Sequence, residues 1–269
     1  RRLLFRSNPP EEFHMPITSL SLLLHVGCLQ PKIAETADDT GSFDSQTAST
    51  AADVQQGLIG DGEGVVLAEV VVTTPMTSEG SGFYVQDPGG GEWSGMYIFT
   101  ETMSGVFTPL VGDKISITGT VSEFYDFTEV KVSSAESIQV IGEEDVVAVE
   151  IGSVSDWEPY ESVLVSLSDQ QVVSAINSYG EVNLSSGIAM DNIFYDFDTE
   201  YGASYDAVVG AVSYSFEEFK IGPRSDDDLQ GYVPGEAAEA SSVADIQQNG
   251  VVGAASVEGV VVTAVGDEG

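Results

Sequence analysis

Basic side chains are the scarcest feature of this sequence: 8 Lys and Arg stand against 44 Asp and Glu in 269 residues, a formal net charge of −36. Beyond Cys28 they are only Lys32, Lys114, Lys131, Lys220 and Arg224. Such a chain repels phosphate backbones at long range, so affinity driven by counterion release is closed to it. The excess acid suits either an exported, highly soluble surface or divalent cation binding, since carboxylates are the ligands calcium prefers. Cysteine is nearly absent as well. A single Cys excludes an intrachain disulfide and a cysteine-based zinc centre. Both histidines, His14 and His25, precede Cys28, which leaves the remainder without a His base, a Ser-His-Asp triad or a His metal site. Gly89-Gly90-Gly91 lacks the following Lys and helix of a phosphate loop. Carboxylate pairs occur throughout by composition alone, so none is singled out as a glycosidase pair. The expectation is a protein that recognises rather than catalyses.

What is present is β-sheet material. The 42% hydrophobic content, ten Tyr and twelve Phe suit strands better than disorder. Residues 1–28 read as a leader: the apolar run Ile17 to Val26, then Gly27 and Cys28, is too short to span a bilayer but fits a signal-peptide core. Residues 29–50, rich in Thr, Ser, Ala and Asp, read as a disordered tether.

A first unit of about 51–142 follows. Val65 to Thr74 is its long β-branched strand, and Gly82 to Phe99 is a hairpin around Pro88-Gly89-Gly90-Gly91, with five large aromatics in eighteen positions. In Lys114 to Val121, apolar and polar residues alternate as a half-buried strand requires. Short strands are expected at Thr128 to Val132 and Ser137 to Ile141. About five strands with a Gly in the fourth suit a small closed barrel. A second unit spans about 146–229. Its Asp206 to Phe216 aligns with Lys114 to Phe124, placing Gly210 under Gly119, and Phe219-Lys220-Ile221 is set against Val130-Lys131-Val132. After a 230–240 linker, Ala52-Asp53-Val54-Gln55-Gln56 returns as Ala244-Asp245-Ile246-Gln247-Gln248, and Val70 to Thr73 as Val260 to Thr263. The repeating module is thus a pair of units, with 241–269 the truncated start of another. The fold class is all-β, with two tandem OB-like five-stranded barrels.

Several blocks carry a family resemblance. Gly82 to Pro88, Trp93 to Phe99, Val111-Gly112-Asp113 leading to Thr118 to Val121, Tyr160 to Val165 and Tyr214 to Ser225 resemble the tandem OB-fold repeats of bacterial secreted proteins, found beside extracellular nucleases and phosphoesterases. Asp126 departs from that pattern, where a Gly would be usual. Gly27-Cys28 similarly resembles a bacterial lipoprotein signal, which implies lipidation at Cys28 and an extracytoplasmic protein, either an outer-membrane lipoprotein or secreted. The resemblance implies an OB-fold binding module, or the N-terminal accessory region of a larger nuclease or phosphoesterase. It also implies nucleic acid as a partner, which the charge disfavours.

Strand alternation divides the hairpin. Phe83, Val85, Met96 and Ile98 share the core face, and Tyr84, Gln86, Tyr97 and Phe99 the other, with Trp93 at the turn and Phe124 and Tyr125 close by. This second set either stacks on a base or sugar ring or packs against the second unit. Asp191, Asp196, Asp198 and Glu200 form the best candidate calcium cluster, although Gly202 falls one position late for an EF-hand. The expected partner is a neutral or cation-bridged ligand, or another protein.

Overall fold

The computed structural model describes residues 48–100 and 107–235. The leader with Cys28, the tether up to residue 47 and the 241–269 repeat lie outside the described residues. The described part is mostly β, arranged as two seven-stranded sheets within one compact unit.

The first sheet contains β1 (Ala48–Ser49), β2 (Gly64–Val72), β3 (Gly82–Gln86), β4 (Gly95–Phe99), β5 (Asp113–Phe124), β6 (Phe127–Lys131) and β7 (Ile138–Glu143). Its pairings run β2–β3–β4–β6–β5, and β5 pairs again with β2, so the hydrogen bonding returns to its first strand. All of these pairs are antiparallel except β4–β6. Phe83, Val85, Met96, Ile98, Ile115 and Ile117 fill the interior, each fully buried. Between β1 and β2 lies a short helix, α1 (Ala51–Gln55), opened by a capping box of Thr50 and Asp53. The sequence reading had no helix here. Five residues are too few for a periodic signal, but Thr50 three residues before Asp53 is a capping pattern that marks the start.

The second sheet contains β8 (Val149–Ile151), β9 (Leu164–Gln171), β10 (Val182–Asn183), β11 (Ala189–Met190), β12 (Ser204–Ser215), β13 (Glu218–Gly222) and β14 (Leu229–Gln230). Its pairings run β10–β11–β13–β12–β9, and the Val172–Leu184 bridge links the end of β9 back beside β10. The strand order thus repeats that of the first sheet, with β11–β13 the parallel pair.

Gly119 and Gly210 hold equivalent places on the long strands. A Cβ on Gly119 would lie 2.7 Å from the Lys131 carbonyl, and one on Gly210 2.6 Å from that of Gly222, so each strand offers bare backbone where the last strand crosses it. The alignment of that last strand needs a two-residue correction. Val121 pairs with Val130, and Val212 with Ile221, so Ile221 matches Val130 and Lys220 matches Glu129. The hairpin turns fix this register: Phe124 pairs with Phe127, and Ser215 with Glu218. Both two-residue turns hold non-glycine residues in the left-handed region, Tyr125 (φ 52°) and Asp126 (φ 63°) in one, Phe216 (φ 54°) and Glu217 (φ 65°) in the other. The Gly expected at position 126 would meet that backbone demand more easily than Asp126 does.

The two sheets meet through backbone as well as side chains. A Cβ on Gly95 would fall onto the Ser162 carbonyl and the Val163 nitrogen. Gly95→Ala is expected to cost about 3 kcal/mol, while Gly152→Ala, where nothing lies within 4 Å, should stay within about 0.5 kcal/mol. Urea unfolding of both variants checks this.

Candidate functional site

The polar face of the β3–β4 hairpin does not look out to solvent. Tyr84, Gln86 and Tyr97 are buried, at 1%, 3% and 7% exposure. Tyr84 packs on Tyr97 with tilted rings (4.9 Å between centroids) and meets Phe194, in the segment after β11, edge-on at 5.5 Å. Phe127 and Ala211 complete this cluster, with Phe99 half-buried beside it. Gln86 Oε1 accepts a hydrogen bond from the Leu164 backbone N–H (2.8 Å), a use of its amide inside the protein. Tyr84, Gln86 and Tyr97 are therefore not presented to a ligand as the stacking alternative requires: the division of faces is as the alternation predicts, and the packing alternative holds, because the second unit covers this face. Trp93 is half-buried, and its backbone N–H donates to the Pro159 carbonyl. Only Phe124 and Tyr125 of the aromatic set are exposed, as an edge-to-face pair at 4.8 Å.

The calcium cluster is likewise not assembled. Among the described residues no three His, Cys, Asp or Glu side chains come together as a metal site. Asp196, Asp198 and Glu200 alternate with buried Phe197 and Thr199 along an irregular segment, so the carboxylates are exposed rather than convergent. Asp191 instead faces Lys220 (3.9 Å), and Asp196 accepts from the Asn192 amide (3.2 Å).

What the fold does form is a cleft of about 890 Å³. The segment joining β2 to β3 contributes Thr77, Glu79 and Ser81, and Tyr97 lies at its inner side, its hydroxyl 3.0 Å from the Ser81 hydroxyl. The β9–β10 loop contributes Asn177, Tyr179 and Glu181, and the segment after β11 contributes Asp191, Asn192 and Asp196. The β12–β13 hairpin closes the list with Phe216, Glu218 and Lys220. A backbone bond from Ser78 N–H to the Ile193 carbonyl (2.8 Å) ties the two sides.

The walls are built rigidly. Asn177 Oδ1 accepts from the backbone N–H groups of Tyr179 (2.8 Å) and Glu181 (3.0 Å), an Asx turn that leaves the Tyr179 ring 75% exposed. Gly180, at φ 87°, lies where any Cβ would strike the Asn192 amide, so its bareness lets that side chain cross the loop. Phe216 stands 90% exposed at its hairpin tip, with the Lys220 ammonium 5.5 Å from its centroid. Lys220 is buried and held by Glu181 and Asp191. Burial raises the Glu181 carboxyl's proton affinity, but Lys220 and the Asn177 amide outweigh it and hold the group below its ordinary range. At Asp191 burial wins over the Lys220 charge, and the carboxyl is raised. The lining thus has five carboxylates and one cation already committed to two of them.

A second unusual group lies in the junction itself. Glu161 is 1% exposed; its Oε1 accepts from the Thr128 backbone N–H (3.0 Å) and the Gln55 amide (3.4 Å), and its Oε2 has no partner. Burial pushes its carboxyl up to about 8, with the Glu158 and Glu123 charges adding to the rise and the Thr128 and Gln55 bonds opposing it. Glu161 falls in the Tyr160 to Val165 block, but nothing there signalled its burial, because its neighbours come from α1 and β6.

No protein-family profile matches the chain, and no curated protein matches it. Among solved structures, the p204 HINb domain is similar over 60% of this chain and 93% of its own, at 10% identity and a TM-score of 0.29. A murine DNA-binding protein, solved with double-stranded DNA, is similar over 65% of this chain and all of its own, at 14% identity and a TM-score of 0.26. At these scores the use of the cleft has to be argued from its own side chains.

Glu161 makes stability depend on pH with a definite sign. Its carboxyl moves from an ordinary 4.5 to about 8 on folding. Between those values the unfolded chain releases a proton that the folded one keeps, so stability falls as pH rises through this window and levels off above it. Glu161→Gln, which keeps the acceptor for Thr128 without a charge, should flatten that slope and be more stable than the parent at pH 9 by on the order of a few kcal/mol. Urea unfolding at pH 5, 7 and 9 measures both effects.

Proposed function

We propose that the protein is a non-catalytic binding module of two OB-type barrels, with its ligand held in the cleft between Tyr97, Tyr179 and Phe216. The strand order supports the barrel assignment: β2 pairs with β3 and β5 while β4 runs parallel to β6, and β9 pairs with β12 and is bridged beside β10 while β11 runs parallel to β13. The observation that carries the function is the cleft, whose size lies within the range of small-ligand sites and whose walls come from four separate segments. Its position suits this fold, because OB barrels bind ligands on the face of strands two and three between the flanking loops. In the second unit the cleft takes the loops bearing Tyr179 and Phe216, together with Glu181 just before β10 and Asp191 just after β11. In the first unit the corresponding face is spent on the junction.

The charge selects the ligand. Five carboxylates, against one lysine already paired with two of them, repel phosphates, so the ligand is neutral, cationic or a protein surface rather than bare nucleic acid. Resemblance in sequence supports a second proposal, that the module is the accessory part of a larger secreted nuclease or phosphoesterase. The separate resemblance of Gly27-Cys28 to a bacterial lipoprotein signal supports an extracytoplasmic protein anchored by lipid on Cys28. In bacterial cells fed labelled fatty acid, Cys28→Ser is expected to abolish incorporation, and label retained in that variant counts against the anchor.

The binding proposal is tested by nuclear magnetic resonance titration of the full chain with spermine, a lysine-rich peptide, a mixture of neutral oligosaccharides, and oligothymidylate at about 20 mM salt. At least one of the first three should shift resonances of Asn177, Tyr179 and Phe216, and oligothymidylate should not. Silence from all three, or saturable binding of oligothymidylate, would overturn it.

A further inference from the structure

We infer that the cleft recognises a short neutral oligosaccharide, an assignment that rests on the cleft being the binding site. The argument begins with what a sugar presents. Each hydroxyl both donates and accepts, so a site for it needs donors and acceptors side by side. A cation needs acceptors alone, and a phosphate donors alone. The cleft offers amide and carboxylate in adjacent pairs: Asn177 Nδ2 donates to Glu181 (2.8 Å), and Asn192 Nδ2 donates to Asp196 (3.2 Å). Each amide nitrogen carries a second N–H, and each carboxylate has further lone pairs, so both pairs can give to and take from a hydroxyl.

The internal bonds also argue against a free cation as ligand. Glu181 is already met by Lys220 and Asn177, Asp191 by Lys220, and Asp196 by Asn192. An incoming ammonium would have to share or displace these donors, whereas a hydroxyl fits beside them. Lys220, buried under the Phe216 ring, is not placed to meet an anion entering from solvent.

The apolar part of a sugar is its C–H face, and the cleft has flat partners for it. Tyr179 and Phe216 project from opposite loops as exposed rings. Neither is there to fill a core, and Phe216 stands at a left-handed backbone position that disfavours a bulky side chain. A bulky ring kept exposed at a strained position points to use at that place. The negative ring face attracts polarised C–H groups, and the ring body shields the hydrogen bonds at the cleft floor from water. Acidic sugars would meet the same repulsion as phosphates.

The test uses the full isotope-labelled chain titrated separately with tetrasaccharides of β-1,4-glucose, α-1,4-glucose, β-1,4-xylose, β-1,4-mannose and β-1,4-N-acetylglucosamine, and with spermine. At least one sugar should shift Asn177, Tyr179, Asn192 and Phe216 resonances saturably. Tyr179→Ala and Phe216→Ala should each weaken it about tenfold, with unchanged melting temperatures because both rings are exposed. Asn192→Ala should weaken it too. No sugar shift at about 10 mM, sugar shifts confined to other residues, or affinity indifferent to both ring variants would overturn the inference. If spermine alone moves the cleft, the sugar class fails while the cleft stands as a binding site. If neither it nor any sugar does, and the peptide is silent too, both fall.

Discussion

The arrangement of the two sheets depends on the missing side chain of Gly95. Because no Cβ stands there, the backbone at Ser162 and Val163 comes into contact with β4, and the start of β9 is brought against the hairpin. Ser162 adopts φ 63° to make this approach, and its N–H is bonded to the Val212 carbonyl at 2.8 Å. From that fixed point the other contacts follow. Gln86 reaches Leu164, Tyr84 reaches Phe194, and Arg224 reaches the Thr73 carbonyl at 3.0 Å. Arg224 is aimed by Asp228, which takes two of its side-chain N–H groups and its backbone N–H. Aromatic pairs of the kind Tyr84 makes add about 0.5–1.5 kcal/mol each beyond the area they bury.

Much of the strand content was legible because period-two alternation is a local property. The assignment of Phe83, Val85, Met96 and Ile98 to one interior follows from it, while the equivalence of Gly119 and Gly210 follows from laying the two long strands side by side. Alternation states which residues share a face, however, and not what that face meets. Tyr84 and Gln86 have the chemistry of ligand contacts, and the protein applies that chemistry to its own second sheet. The cleft was harder to see because it joins positions from Thr77 to Lys220. Of its lining, Tyr97, Asp191 and Asp196 stood out in the sequence as site candidates, two of them for a metal that the geometry does not gather. Tyr179 carried no motif, and Phe216 and Lys220 stood only within the Tyr214 to Ser225 block, which marks the fold and not a site.

The two units show how a duplicated scaffold diverges at matched positions. Tyr125 and Phe216 hold the same left-handed hairpin place, but Tyr125 pairs with Phe124 while Phe216 covers Lys220. Lys220 itself matches Glu129, which is buried and bonded to Lys131 at 3.2 Å. One sheet therefore has an acid and the other a base at equivalent depth on the last strand, and the base lies in the wall of the cleft.

Covering one hairpin face to leave the other open has a consequence for valency. The repeat of Ala52 to Gln56 at Ala244 to Gln248 makes the pair of units the element that recurs. An array of such pairs would present the cleft once for every two sheets, separated by the length of a whole pair. Contacts with a polymeric target would then be sparse and widely spaced, and avidity would grow with the number of pairs while each pocket stayed individually weak.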